Sequence, residues 1–394
     1  MHALAKACCR LLAGIALAGP AVFLPRPTIA EQIAGEASLT ASQRAALIAY
    51  RAARGQFERQ YRAYWNRIAA KRDARRAKRL MGLEYTTDDY VADYPPRYTG
   101  PELPADVAKI LAPVIPTPTA RPLPTVADWL AQAKAQFAFV PSATTELEFK
   151  RRYAREALAV GLTKDQIVRI YALETGGQGS YDTQAGINPV TRQGRPISSA
   201  LGYAQLLQSN SASELVKHGD GFAKRLLAMA AAPGTEREEA EMLQAKAAVL
   251  RRMLRAVRSV PDDWNHYVRF AATPAGLAIH ALNLDADIGP WLQVQKLRGL
   301  VDAALKAGYP PLSGAQIELL NEAGPRTGLE MMLPVAQDRP TSNFFSESGY
   351  YRNAIVRDKT AGELLKALSD RMEVNVRKPG AVEFARVFDE LARN

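Results

Sequence analysis

The chain has 394 residues, 47% of them hydrophobic and 23% charged, which is typical of a globular protein rather than a disordered or fibrous one. Its formal net charge is +11. The two cysteines are adjacent at Cys8 and Cys9, which excludes a disulfide scaffold and a cysteine-based zinc site. The four histidines have no metal-ligand spacing, and no phosphate-binding loop or dinucleotide fingerprint occurs.

Residues 1–30 have the order of a secretory signal peptide. Lys6 and Arg10 precede an apolar run over residues 11–24, and small residues end the segment at Ala30. We expect cleavage after Ala30, which removes both cysteines and three basic residues and lowers the net charge from +11 to +8. The mature protein is then expected in the periplasm or secreted. The alternative is an uncleaved membrane anchor, for which the apolar run is short.

Residues 31–94 are predicted to form a basic helical segment. Thr40 and Gln43 have the spacing of a capping box, and apolar residues then recur at helical spacing. Residues 51–79 contain eleven Lys and Arg against two acids, so most of the basic charge belongs to this helix. One interpretation is contact with an anionic wall polymer or a membrane surface; the other is a solvated face on a helix that packs on the core. Nucleic acid is not expected as a partner, because the aromatic residues are not interleaved with the basic ones.

Residues 95–125 are predicted to form a proline-rich strap. Residues 95–124 contain nine of the 25 prolines, and proline fixes φ and lacks a backbone donor. Helical periodicity resumes at Val126, and alternating strand patterns are almost absent from the chain. The sequence therefore predicts a mostly α fold.

One glutamate has an unusual position in the predicted helices. Thr163 and Gln166 form a second capping box, which predicts a helix that ends at Glu174, before Gly176 and Gly177. Its apolar face is marked by Ile167, Ile170, Tyr171 and Glu174 at i, i+3, i+4 and i+7. Burial and the negative end of the helix dipole both raise the pKa of a carboxyl group there. The pattern favours a general acid, and the alternative is a solvated glutamate at a frayed helix end.

Two segments carry a resemblance to a known family. They are Tyr171-Ala-Leu-Glu174-Thr-Gly176 and Ser199-Ala-Leu-Gly202-Tyr-Ala-Gln205-Leu. They resemble the soluble-type lytic transglycosylases, which share the goose-type lysozyme fold. In that family a helix ends in the catalytic glutamate, which Ser or Thr follows, and the second segment lines the saccharide groove. Two weaker matches are Asp287-Ile288-Gly289-Pro290-Trp291-Leu292 and Leu320-Asn321-Glu322-Ala323-Gly324.

The chain departs from the family pattern at two places. Gln205 lies 31 residues after Glu174, so the intervening loop is longer than usual. Leu320 stands where the family has a tyrosine that touches the catalytic glutamate. Tyr203 and Tyr181 are candidates to replace that tyrosine.

The resemblance implies a function as well as a fold. Glu174 is expected to be catalytic, and the substrate-binding residues are expected to be Thr175, Ser199, Gly202, Tyr203, Gln205 and Asn321. The implied activity is a peptidoglycan lytic transglycosylase, which cleaves the β-1,4 bond between N-acetylmuramic acid and N-acetylglucosamine and leaves a 1,6-anhydro end. No metal and no organic cofactor is implied. The alternatives are a goose-type muramidase, for which Asp182 is the candidate second carboxylate, and a non-catalytic peptidoglycan-binding or scaffold protein.

The implied architecture is mostly α with a lysozyme-like catalytic domain. We expect that domain at residues 126–330, after the basic segment and the strap. A C-terminal helical extension is expected at residues 331–394. It contains the run Pro340-Thr-Ser-Asn343-Phe344-Phe345, to which the sequence assigns no role.

Overall fold

The computed structural model describes residues 36–111 and 122–393. The predicted signal peptide lies outside the described residues, and so does part of the predicted strap. The described residues contain fifteen α-helices and, apart from isolated β-bridges, no strand, which confirms the prediction of a mostly α fold. In chain order the helices are α1 (Ala41–Leu80), α2 (Ala105–Leu111), α3 (Val126–Phe137), α4 (Glu146–Ala159), α5 (Lys164–Glu174), α6 (Gln208–Ala230), α7 (Arg237–Arg258), α8 (Trp264–Ala271), α9 (Pro274–His280), α10 (Ile288–Lys306), α11 (Gly314–Ala323), α12 (Pro325–Met331), α13 (Glu347–Arg352), α14 (Ala361–Asn375) and α15 (Pro379–Ala392).

The described residues form two compact units. The first consists of residues 123–330 together with 365–393, and the second of residues 36–111, 122 and 331–364. The residues from 331 onward, predicted as one C-terminal extension, are thus divided between the two units.

The first unit is built around helix α5. This helix packs against α11 and α15, while α10 packs against α4, α6 and α11, and α6 and α7 lie along one another. A cluster of aromatic side chains fills the space between α4, α5 and α15. The Tyr203 ring centroid lies 5.3 Å from that of Tyr153, 4.8 Å from that of Tyr171 and 5.5 Å from that of Phe384, and all four side chains are buried. Aromatic burial of this kind contributes a large share of core stability.

A buried ionic network fixes the start of α10. The Lys246 ammonium lies 3.0 Å from a carboxylate oxygen of Asp285 and 2.6 Å from one of Asp287, and all three side chains are buried. Asp285 also accepts hydrogen bonds from the backbone N–H groups of Asp287 and Ile288, both at 3.0 Å. Buried charges are tolerated when they are paired and hydrogen-bonded in this way. The segment 287–292 therefore opens a core helix.

A second buried polar network surrounds His280, at the end of α9. Its Nε2 lies 2.8 Å from the Ser199 carbonyl oxygen, and its Nδ1 lies 2.8 Å from the Ser211 hydroxyl. Because a carbonyl can only accept, Nε2 carries the proton and Nδ1 accepts from Ser211. Asn283 also donates to the Ser211 hydroxyl, at 2.8 Å. This network anchors the backbone at Ser199 to the core.

The second unit is organised by the long helix α1. The predicted capping box is confirmed, since the Thr40 and Gln43 side chains each bind the other's backbone N–H. Tyr64, Trp65 and Ile68 are buried, and the Tyr64 hydroxyl lies 2.6 Å from that of Ser342. Helix α2 packs on the beginning of α1 through apolar side chains.

The run at residues 340–345 packs within the second unit. The Asn343 side chain accepts from the Val91 N–H and donates to the Val91 carbonyl, both at 2.8 Å. The buried Arg75 guanidinium of α1 donates to the Asn343 carbonyl at 2.7 Å and lies 4.5 Å from the centre of the Tyr90 ring. This run therefore contributes core contacts that join α1 to the segment around residue 90.

Candidate active site

Helix α5 brings Glu174 to its C-terminal end through local signals. The capping box at its start is present, with the Gln166 N–H donating to the Thr163 hydroxyl at 3.2 Å and the Thr163 N–H donating to the Gln166 side chain at 2.9 Å. Glu174 is the last residue of the helix, and Gly176 and Gly177 follow with φ of +65° and +72°. These left-handed conformations end the helix at the predicted position.

The end of α5 is held in place by α14 and α15. The Asn375 side chain donates to the Ala172 carbonyl at 2.9 Å, which satisfies one acceptor of the last helical turn. The Ala381 N–H donates to the Gly177 carbonyl at 3.0 Å. A Cβ atom at Gly177 would lie 2.2 Å from the Asn375 carbonyl oxygen, so only glycine allows this close approach. The backbone behind Glu174 is therefore fixed by contacts from a distant part of the chain.

A carboxyl pair lies at the end of α5. The Asn321 amide nitrogen is 3.4 Å from Oε1 of Glu174 and 3.2 Å from Oε1 of Glu318. The Asn321 amide thus bridges the two carboxyl groups, whose charges act on one another. Glu174 is half-buried, whereas Glu318 is fully buried on α11. Glu318 is absent from the residues predicted from the sequence.

The surroundings of Glu174 favour its neutral form. Desolvation, followed by the negative charges of Glu318 and Glu322, raises the pKa of Glu174 well above its usual range, and the positive charge of Arg371 opposes this only weakly. Burial also raises the pKa of Glu318, but its interactions with Glu174 and Asn321 act in the opposite direction. These surroundings favour the proton on Glu174 over Glu318.

A tyrosine lies near Glu174, although not at the predicted position. Tyr153 of α4 is fully buried, and burial together with the charge of Glu174 raises the pKa of its hydroxyl. Leu320 is also fully buried in the apolar core. The two candidates to replace the family's tyrosine, Tyr203 and Tyr181, instead bind Glu146, through the hydroxyl of Tyr203 and the backbone N–H of Tyr181.

Among the predicted substrate-binding residues, two have hydroxyls that bind nearby backbone. The Thr175 hydroxyl donates to the Tyr171 carbonyl at 2.6 Å, and the Thr175 side chain is buried. The Ser199 hydroxyl accepts from the Gln208 N–H at 3.3 Å. In the described structure both hydroxyls stabilise their own segment.

Three more predicted residues build the loop over residues 183–206. Gln205 donates from its side chain to the carbonyls of Thr183 and Gly202, at 2.9 and 2.8 Å. Gly202 has φ of +83°, and a Cβ atom there would lie 2.5 Å from the Gln293 side chain. Tyr203 is buried in the aromatic cluster. Among the six residues predicted to bind substrate, Asn321 is the one with a hydrogen bond to Glu174 in the described structure.

The loop acid Asp182 is engaged in an ion pair. Its Oδ2 lies 2.5 Å from an Arg192 nitrogen, and its Oδ1 accepts from the same guanidinium at 3.1 Å and from the Ser180 hydroxyl at 2.5 Å. Both oxygens therefore already have partners within the loop.

Within residues 36–111 and 122–393, no group of three or more histidine, cysteine or acidic side chains is placed to hold a metal ion. Among the helices of that part of the chain, none is long and apolar enough to cross a membrane. No family model matches the chain, and no curated protein or solved structure is detectably similar to it.

Proposed function

We propose that this protein is a peptidoglycan lytic transglycosylase with Glu174 as its general acid and base. The observation that carries the proposal is the half-buried Glu174 carboxyl, paired with the buried Glu318 and bridged to it by Asn321. A carboxyl group that stays protonated at neutral pH is what a glycosidic leaving group requires. The resemblance of the sequence segments around Glu174 and Gln205 supplies the substrate class.

The proposed reaction has two proton transfers through one side chain. Glu174 donates its proton to the glycosidic oxygen between N-acetylmuramic acid and N-acetylglucosamine while the bond from that oxygen to the muramyl C1 breaks. The resulting carboxylate takes the proton from the muramyl C6 hydroxyl, whose oxygen forms the new bond to C1. The products are a 1,6-anhydromuramyl end and a free 4-hydroxyl on the N-acetylglucosamine, and the proton is back on Glu174.

The surroundings favour ring closure over hydrolysis. An inverting hydrolase uses a second carboxylate to activate water. Asp182 has both carboxylate oxygens occupied by Arg192 and Ser180, and Glu318 is fully buried. Neither is free to activate a solvent water, whereas the transglycosylase reaction needs no water.

The experiment is digestion of purified peptidoglycan followed by mass spectrometry of the released fragments. We expect anhydro ends from the wild type, a loss of about 10²–10⁴ in rate for Glu174→Gln, and retention of most of the activity for the control Asp182→Asn. Reducing ends would instead indicate a goose-type muramidase. No products from the wild type would indicate a peptidoglycan-binding or scaffold protein. Full activity of Glu174→Gln would refute the site.

We further propose that helix α1 binds an anionic wall polymer. Arg59, Arg62 and Arg76 are exposed on it, and the helix has a large excess of basic residues. Several other basic side chains of the helix are engaged within the second unit, such as Lys78 with Asp89 at 2.6 Å. Exposed arginines such as Arg59 and Arg76 leave positive charge available to a partner, and a membrane surface is the alternative partner.

We also propose that the protein is exported and processed after Ala30. The basis is the charged, apolar and small-residue order of residues 1–30. Amino-terminal sequencing of the protein isolated from cells should begin at Glu31. A soluble protein that begins at Met1 would refute this.

A further inference from the structure

Glu318 is a buried carboxyl group with an incomplete set of ordinary hydrogen bonds. It lies on α11 between Ile317 and Leu319, and all three side chains are fully buried. Its Oε1 accepts from Asn321 at 3.2 Å. Its Oε2 is buried and receives no hydrogen bond from an N–H or hydroxyl donor among the described residues. A carboxylate left in this state is costly, because a buried charge needs donors on its oxygens.

A protonated Glu174 would supply the hydrogen bond that Glu318 lacks. An ionised carboxylate has acceptors only, so a hydrogen bond between two carboxyl groups requires a proton on one of them. The Asn321 amide nitrogen lies 3.4 Å from Oε1 of Glu174 and 3.2 Å from Oε1 of Glu318, so one amide bridges the two carboxyl groups. A pair bridged in this way is placed to hold a single proton between side chains of α5 and α11.

The charges around the pair decide which carboxyl group holds the proton. The other titratable or charged groups that face it are Tyr153 of α4, Lys296 of α10, Glu322 of α11 and Arg371 of α14. Lys296, which also faces Glu214 of α6, favours the anion of Glu318. Glu322 disfavours the anion of Glu174, and Arg371 opposes this more weakly. These charges favour the proton on Glu174 and the negative charge on Glu318.

We propose that Glu318 is a positioning residue that keeps the catalytic proton on Glu174, with its own anion stabilised by the Asn321 amide and by the positive charge of Lys296. This inference rests on the proposed function. It assigns a role to Glu318, which lies outside the four segments that resemble the lytic transglycosylases. The pair has a role in both proton transfers of the proposed reaction. Before cleavage, the Glu318 anion disfavours ionisation of Glu174, so Glu174 stays protonated. After cleavage, two adjacent carboxylates repel one another, so Glu174 becomes a stronger base toward the C6 hydroxyl.

The test compares two glutamates on the same helix. Glu318→Gln removes the charge and the paired carboxyl group, whereas Glu322→Gln removes a second negative charge that disfavours the anion of Glu174. The Glu174 carboxyl is followed by NMR titration with ¹³C-labelled glutamate, assigned with Glu174→Gln, and kcat/KM for peptidoglycan cleavage is measured against pH.

We expect Glu318→Gln to lower the pKa of Glu174 by about 1–2 units, because an adjacent like charge is lost and an amide donor is gained. The alkaline limb of the kcat/KM profile should move to lower pH by the same amount, so that activity above both pKa values falls about 10–100-fold while activity at low pH is retained. Glu322→Gln should give a smaller shift in the same direction.

A third variant should shift the pKa of the carboxyl pair in the opposite direction. Lys296→Met removes the positive charge that favours the Glu318 anion, so the shared proton is held more tightly and the alkaline limb moves to higher pH. Lys296 is only half-buried, so this variant decides the question if Glu318→Gln does not fold. A merely structural role would not shift the limb in opposite directions in the two variants.

Two results would overturn the inference: a Glu174 titration unchanged in Glu318→Gln, or equal shifts in Glu318→Gln and Glu322→Gln. If Glu318→Gln does not fold, an alkaline limb of the kcat/KM profile that is unchanged in Lys296→Met would overturn the inference. The NMR titration separates this inference from the proposed function. If the wild type releases no fragments but the Glu174 titration still moves with Glu318→Gln, the pair stands and the transglycosylase proposal fails.

Discussion

The buried imidazole of His280 should make the stability of the first unit depend on pH. Burial lowers the pKa of His280 to about 3, and the hydrogen bond to the Ser199 carbonyl opposes this only in part. In the unfolded chain the same side chain binds a proton below about pH 6.5. The unfolded state therefore holds more protons between these two values, and stability is lost as the pH falls through this window. The slope is about 1.4 kcal/mol per pH unit, and the full window corresponds to about 5 kcal/mol.

The perturbation is His280→Gln, which keeps a donor for the Ser199 carbonyl but cannot be protonated. At pH 7.5 it should lower the free energy of unfolding by about 1–3 kcal/mol, because the buried hydroxyl of Ser211 loses its acceptor. Between pH 7.5 and 5.0 the wild type should lose about 2 kcal/mol more than the variant, since 5.0 lies about 1.5 units below the unfolded pKa. The two stabilities should thus converge as the pH falls.

Urea unfolding followed by tryptophan fluorescence measures this difference. Trp129 is a suitable reporter, because its ring centroid lies 4.4 Å from that of His280. His266→Gln, on helix α8 near the surface, is the control for the substitution itself. A stability difference between wild type and His280→Gln that stays constant from pH 7.5 to 5.0 would show that the imidazole is not held neutral in the folded state.

Three further predictions concern the end of helix α5, the Glu174 carboxyl group and the basic helix α1. Gly177→Ala should destabilise the first unit by about 2 kcal/mol or more and lower the melting temperature by about 4–8 °C, because it combines φ of +72° with a Cβ atom 2.2 Å from a backbone oxygen. Glu174→Gln should melt at the same or a higher temperature than the wild type, because it removes an electrostatically disfavoured carboxyl group from a helix C-terminus. The double variant Arg59→Gln, Arg76→Gln should weaken co-sedimentation with peptidoglycan at low salt, and the loss should shrink above about 0.1 M salt, where exposed charges are screened within about 10 Å.

Each of these has a result that would contradict it. An unchanged melting temperature for Gly177→Ala would mean that the backbone relaxes there at little cost, and a lower one for Glu174→Gln would mean that the carboxyl group stabilises the fold. For the basic helix, the control is Arg251→Gln with Arg255→Gln, which removes two exposed charges from α7 in the first unit. Equal loss of binding in the two double variants would indicate an effect of net charge alone, and binding to anionic vesicles but not to peptidoglycan would indicate a membrane surface.

The features that the sequence predicted well are those with short-range causes. The helix ahead of the glutamate begins and ends where a capping box and two glycines place it. These signals act within one helical turn, so they can be read from neighbouring residues. The same is true of Thr40 at the start of α1.

The features that were missed depend on contacts between distant residues. Glu318 could have been singled out by the argument applied to Glu174, because it is an acid within the apolar run Ala315-Gln-Ile-Glu-Leu-Leu320. What periodicity cannot give is its partner, since the pair joins helices 144 positions apart in the chain. The run at residues 340–345 was likewise unassigned, because its partner is the segment around Val91.

The described contacts give the loop over residues 183–206 and the surrounding helices different roles. Side chains of the loop over residues 183–206, such as Gln184 and Gln205, are committed to backbone carbonyls, and His280 holds the loop from the core side. These side chains would therefore affect a bound ligand indirectly, by fixing the shape of the loop backbone. In the proposed reaction, proton transfer instead depends on Glu174 and Glu318, whose positions are set by helix packing. A substitution in the loop should therefore alter substrate affinity without moving the pH profile, whereas one in the carboxyl pair should move the profile itself.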